Sequence, residues 1–290
     1  VTFLQPVSLA AALAMRAEHE QAVALQGGTD VYVEVNFGRL RPVSLLDLTR
    51  VDELRGIARE NGTVRIGAGS TYHEMIENLE KDAPALVIAS RTVGSPPIRN
   101  RGTIGGNLGS ASPAGDCHPP LLAAGATIEI ASANETRLVP VEDFFVAPKR
   151  SVLRPDEVIM AVHVERATGP QSFSKVGVRN AMVIAVCSFA IAFQSESGRV
   201  GTGIGSAGPV PLRALEAERF LEGHLAESRR WDTAAPLEES VVARFGELVA
   251  AGARPIDDVR GTAPYRRHAL GVLARRSLIW CWNEYAGRPR

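Results

Sequence analysis

Two short segments constrain this chain more than any others: Gln26-Gly27-Gly28-Thr29-Asp30 and Thr103-Ile104-Gly105-Gly106-Asn107. Each sets adjacent glycines beside small hydroxyl or amide side chains. Such a segment has no Cβ to hold a ligand away, and it can turn its backbone N–H groups toward an anion. Two of them, well separated in sequence, can grip a pyrophosphate from both sides. Neither fits the GxGxxG dinucleotide fingerprint or the GxxxxGK[ST] phosphate loop. Read as residues alone, they reach only a phosphate-containing ligand, with a dinucleotide as one candidate and an ordinary tight turn as the plain reading of the first segment.

The rest of the composition narrows the class. In 290 residues, 32 basic and 32 acidic side chains cancel, so no basic field argues for nucleic acid. The cysteines Cys117, Cys187 and Cys281 are scattered, with no CxxC spacing. They read as buried thiols in a reducing compartment rather than as a disulfide framework or a cluster ligand set. No charged segment followed by an apolar one opens the chain, and no apolar run approaches the ~20 residues of a membrane helix. A cytoplasmic protein without a membrane span is the simple expectation.

Local patterns predict the elements. Ser8 caps a helix to His19, Val23–Leu25 reads as a buried strand, and a helix begins at Thr29 or Asp30 and runs to Phe37. Val43–Leu48 completes a small β-α-β unit ending near Leu54. Thr63–Ala68 alternates as a strand, and Thr71 with Glu74 forms a capping box for a helix to Leu79. Pro84 opens a helix to Val93. Gly94 to Pro120 reads as one long loop, a length that points to function. Pro119-Pro120 starts a helix through Ala124. Thr127–Ala131 and Thr136–Pro140 form a hairpin, and Val158–Val164 a strand. Beyond Gly169-Pro170 come strands at 173–178, 183–194 and 200–206, then helices at 214–222, 236–250 and 265–285. These readings divide the chain into 1–54, 55–170 and 171–290.

Around the second glycine segment, Ser110, Ser112 and Asp116 place hydroxyl and carboxylate groups where a sugar would lie. Asp116 has a plainer reading as a cap for the Pro119-Pro120 helix. Arg99 and Arg101 read as solvated surface. No Ser/His/Asp or Cys/His set is evident, and His73, His118, His163 and His268 read as structural.

Both glycine segments resemble the two FAD pyrophosphate loops of the flavin (medium) subunit of molybdenum hydroxylases. That group includes the carbon monoxide dehydrogenase medium subunits and the xanthine dehydrogenase flavin modules. The resemblance extends over Ile98–Asn107, over Ser112-Pro113-Ala114-Gly115-Asp116, and over Gly205–Arg213 in the C-terminal part. It implies an α+β fold, a vanillyl-alcohol-oxidase-type (PCMH) FAD-binding domain of two α/β subdomains. A C-terminal α+β domain with a small antiparallel sheet and helices would follow.

By position it implies that Ala24, Leu25, Gln26, Gly27, Gly28, Thr29, Asp30 and Val31 contact the diphosphate and adenosine half of FAD. Gly102, Thr103, Gly105, Gly106, Asn107, Gly109 and Ser110 would form the second loop. Asp116 would contact FAD, Met160 would lie beside it, and Lys175 would stand near the flavin ring. Lys175 also has a plain reading as a strand lysine reaching water. Val93 stands where the xanthine dehydrogenase branch has an aromatic on the flavin, which favours the carbon monoxide dehydrogenase branch.

The implied activity is electron transfer, with no catalytic residue and no metal in this chain. A molybdopterin-containing large subunit would hydroxylate the substrate. A 2Fe–2S small subunit would deliver the electrons, and FAD would pass them to O2, NAD+ or a quinone. The assembly would be a dimer of heterotrimers. A stand-alone FAD-linked oxidase and a non-enzymatic nucleotide-binding protein are the competing readings.

Overall fold

A computed structural model describes residues 1–289. Three short strands, β1 (Thr2–Leu4), β2 (Val23–Leu25) and β3 (Ser44–Asp47), form a parallel sheet in the order β1-β3-β2. Strand β1 was not expected from the sequence. The connecting helices are α1 (Leu9–Glu18) and α2 (Val31–Asn36). Helix α1 starts where the Ser8 hydroxyl accepts the Ala11 N–H, and it buries Ala12 and Leu13 beside Leu46, Val51 and Leu54. Helix α2 buries none of its residues, and its N-cap is Asp30, not Thr29. Of β2, only Leu25 is buried.

The middle of the chain builds a five-stranded sheet. Strands β4 (Ile57–Glu60), β5 (Thr63–Gly67), β6 (Thr127–Ala131) and β7 (Thr136–Pro140) precede a two-stranded ladder, β8 (Phe145–Ala147) with β9 (Arg150–Ser151). Strand β10 (Val158–Glu165) then inserts at the centre, giving the order β4-β5-β10-β6-β7, antiparallel throughout. Val64, Ile66, Ile128, Ile130, Val162 and Val164 fill its core face, each contributing roughly 1.5–3 kcal/mol by leaving water. On that face lie α3 (Tyr72–Asn78), whose Thr71/Glu74 capping box is formed, and α4 (Pro84–Thr92). The stretch expected to be one loop from Gly94 to Pro120 is instead α5 (Pro96–Arg99), α6 (Ile104–Ser110) and the start of α7 (His118–Ala123). Glycine content hid α6, because two glycines in its first turn lower helix propensity. A single turn, α8 (Val141–Phe144), leads into β8.

Strand β10 carries a β-bulge between Ile159 and Ala161. A bulge sets two residues against one on the partner strand and re-aims a side chain. Ile159 therefore faces the sheet's own core, while Met160 and Ala161 both join the first subdomain's cluster with Ala12 and Leu46.

The C-terminal part is an antiparallel sheet of β11 (Gln171–Val176), β12 (Cys187–Gln194) and β13 (Arg199–Gly205), with β12 central and buried throughout. One face presents Cys187, Phe189, Ile191 and Phe193 to α9 (Leu215–Glu227), α11 (Glu239–Gly252) and α12 (Ala263–Tyr285). A short turn, α10 (Arg230–Thr233), carries Trp231 into an aromatic cluster with Phe193, Trp282 and Tyr285. The other face is built of small residues. Ala190 and Ala192 meet Ala85, Ala89 and Ala123 of α4 and α7. Gly201 and Gly203 lie so close to α7 that a Cβ would stand 1.9 Å from the Ala123 oxygen and 2.0 Å from the Pro119 oxygen. The helix backbone rests directly on the strand, and this locks the C-terminal part against the middle one.

Candidate functional site

A cavity of 620 Å³ opens where the three parts meet. Its first wall is the β2–α2 turn with Arg16 of α1. Its second is α6 with the following segment to Asp116. Leu153, Val158, Ile159, Val93 and the β11–β12 loop residues Met182, Val183 and Ile184 complete it. All the residues expected to hold the cofactor line it except Gly102, Met160 and Lys175.

The two glycine segments touch. A Cβ on Gly27 would stand 1.9 Å from the Arg101 carbonyl oxygen and 3.0 Å from the Gly102 Cα. Gly102 thus serves the junction of the loops rather than the cavity wall. Gly28 has φ +76°, the left-handed region that favours glycine, and sits against the Tyr32 ring.

The segments offer different chemistry. The N–H groups of Gly27, Gly28, Thr29, Asp30 and Val31 donate to no acceptor among the described residues. They are free donors on the cavity wall. Helix α2 is too short to add much of a dipole, so the donors, not the helix, attract an anion here. In α6 the donors are taken: Ile104 N–H bonds the Ser70 carbonyl at 3.1 Å, Gly105 N–H the Ala68 carbonyl at 2.9 Å, and Gly106 N–H the Thr103 hydroxyl at 3.1 Å. Of the two segments, only the first keeps its N–H groups free for an anion. The second offers closeness instead. A Cβ on Gly106 would meet only the Thr103 hydroxyl at 3.2 Å, and one on Gly109 only Ile159 at 4.0 Å.

Three buried side-chain oxygens on this cavity have no partner: Gln26 Oε1, Asn107 Oδ1 and Asp116 Oδ1. Asp116 is not a helix cap, since Cys117 holds that position. Its other oxygen accepts from Lys175 Nζ at 2.6 Å. Burial pushes the Asp116 carboxyl up, and the Lys175 ammonium pulls against that shift. Lys175 does not reach water: its side chain is 9% exposed, and it also donates to the carbonyls of Thr92 at 3.1 Å and Val183 at 3.2 Å. It ties α4, Asp116 and the β11–β12 loop together behind the wall. Arg99 is not solvated surface either, as it caps the end of α4 through the carbonyls of Val93 and Gly94.

Met160 lies outside the cavity because the bulge turns it inward, and Ile159 takes the wall. Arg16, Tyr72 and residues 182–184 were missed. Nothing local marks a strand-loop apolar triplet as facing a site built from residues 24–116. His118 supports the second segment from behind. Fully buried, it donates its Nε2 proton to the Asn107 carbonyl at 3.1 Å, and burial lowers its pKa to about 4.

The donors and orphaned acceptors fit FAD: free N–H groups for phosphate oxygens, unpaired carbonyl and carboxylate oxygens for hydroxyls, and apolar lining from Val93, Ile159 and Ile184 for a flat ring.

Comparison with known proteins gives the same answer. Residues 1–166 match the family model described as the FAD binding domain in molybdopterin dehydrogenase. Residues 172–281 match the CO dehydrogenase flavoprotein C-terminal domain. The chain is 28% identical over 287 residues to the xanthine dehydrogenase FAD-binding subunit of Escherichia coli O157:H7, covering 96% of this chain and 94% of that one. It is 35% identical over 211 residues to the nicotinate dehydrogenase FAD-subunit of Eubacterium barkeri, covering 69% and 71%. Among solved structures, a chain of carbon monoxide dehydrogenase from Hydrogenophaga pseudoflava superposes with a TM-score of 0.88 at 27% identity, covering 97% and 96%. With more than half its length matched by one family model, the chain belongs to the FAD-binding medium subunits of the molybdopterin dehydrogenases.

Proposed function

We propose that this chain is the electron-transfer subunit of a molybdenum hydroxylase complex, taking electrons from 2Fe–2S clusters on a small subunit and passing them to a final acceptor. A molybdopterin-containing large subunit completes the assembly, as a dimer of heterotrimers. The observation that carries this reading is the row of free N–H groups from Gly27 to Val31 on the same cavity as the open Cα of Gly106. The relatives' own names support it: one serves a xanthine dehydrogenase, another a nicotinate dehydrogenase. The chain's three cysteines are buried and too few to ligate clusters of its own.

When bound, FAD supplies the redox chemistry. The residues of this chain bind and orient it. N–H groups of Gly27–Val31 and the Thr29 hydroxyl hold the diphosphate, and Ala24, Leu25 and Gln26 flank the adenosine half. Thr103, Gly105, Gly106, Asn107, Gly109 and Ser110 form the opposite side, where the missing Cβ atoms allow close approach. Asp116 accepts from a hydroxyl, and Lys175 keeps its carboxylate in place. Met182, Val183 and Ile184 add apolar lining from the β11–β12 loop.

Co-purification tests the reading. The expected result is a yellow protein that releases FAD on heating and carries along a molybdopterin subunit and a 2Fe–2S subunit identified by mass. Turnover of an organic substrate by the single chain, or release of an adenine nucleotide without flavin absorbance, overturns it.

A further inference from the structure

Tyr72 opens α3 and is 4% exposed, yet it lines the cavity between the two glycine segments. Its N–H donates to the Gly102 carbonyl at 3.0 Å. Its ring lies so close to Gly102 that a Cβ there would stand 2.7 Å away. Thr71, just before it, bridges to Thr103. The ring is thus fixed at the junction of both segments.

The Asn107 side chain neighbours the phenol, and the charged groups acting on it are the carboxyls of Asp30 and Asp116. Burial, reinforced by these neighbours, pushes the phenol well above its ordinary value, so it keeps its proton. A phenol can accept one hydrogen bond and donate another. With the Asn107 side chain beside it, the phenol can accept there and still keep its own proton for a ligand. The phenol lines the cavity, so an oxygen-rich ligand there can supply its acceptor. The acceptors that match the free N–H groups of Gly27–Val31 are phosphate oxygens, and Tyr72 stands between those groups and α6.

We infer that Tyr72 is a further binding residue of this site, donating its phenol proton to a diphosphate oxygen of FAD; the inference rests on the flavin reading above. Tyr72→Phe keeps the ring against Gly102 and removes only the oxygen. The full chain, stripped of flavin, should bind FAD about tenfold more weakly in the variant. ADP should weaken by the same factor, riboflavin should not, and the thermal midpoint of the flavin-free protein should not move. An unchanged FAD dissociation constant overturns the inference, as does weakening for riboflavin but not for ADP. Should the variant fail to fold, a crystal of the FAD-loaded wild type decides. A phenol oxygen within about 3.2 Å of a diphosphate oxygen supports the inference, and one beyond about 4 Å overturns it. Wild type that binds no FAD at all sinks the flavin reading itself.

Discussion

Gly27 lies against the Arg101 carbonyl so tightly that a Cβ on the glycine would stand 1.9 Å from that oxygen. The contact joins two segments far apart in sequence and sets the gap between the free donors of one and the bare backbone of the other. Gly27→Ala should therefore force the segments apart. Overpacking against backbone costs about 1–3 kcal/mol. The expected result is a lower urea midpoint together with weaker FAD retention on dialysis. Wild-type stability in the variant would show that the segments do not meet this closely.

Gly106 behaves differently, because its open side faces the cavity. A Cβ there meets only the Thr103 hydroxyl at 3.2 Å. Gly106→Val should leave the fold intact and fill the space for the diphosphate. A folded, colourless protein is expected, checked by circular dichroism and the visible spectrum. Full yellow absorbance would refute it.

Lys175 and Asp116 form an ion pair with side chains 9% and 10% exposed. Removing one partner of a buried pair leaves an uncompensated charge, which costs about 3–5 kcal/mol. Lys175→Met should destabilise the protein by that order in denaturant titration. It also frees the Val183 carbonyl, so the β11–β12 loop should exchange its amide hydrogens faster.

His118 makes stability depend on pH. Its folded pKa is about 4 against an ordinary 6.5, because burial disfavours the charged ring. The unfolded chain therefore binds the extra proton between those values. The contribution is full above pH 6.5, falls as pH drops toward 4, and levels off below, a loss of about 3 kcal/mol from this one group. His118→Gln cannot titrate but can still donate to the Asn107 carbonyl. Unfolding titrations at pH 7 and pH 4.5 should differ less in the variant than in the wild type.

Much of this molecule was legible locally. Ser8, Thr71 with Glu74, and Pro84 announce helix starts by chemistry within one turn, and each helix begins there. The hairpin at 127–140 follows from alternation. Helix α6 was not legible, because glycines in a helical first turn read as loop. It is held by Ser70 and Ala68 carbonyls from a distant segment. Met160 was misplaced for a similar reason: one inserted residue in β10 changes which side chains face the cavity, and apolar residues on both sides of the insertion hide it.

The sequence by itself determined the family, the two glycine segments and most local starts and stops, since these rest on interactions spanning a few residues. Only the tertiary structure decided that the first segment alone keeps its N–H groups free. It also brought Tyr72 and residues 182–184 to the cavity, and showed that Lys175 serves Asp116 rather than solvent. Those outcomes depend on which distant carbonyls, rings and charges packing brings within a few ångströms, and no local pattern carries that information.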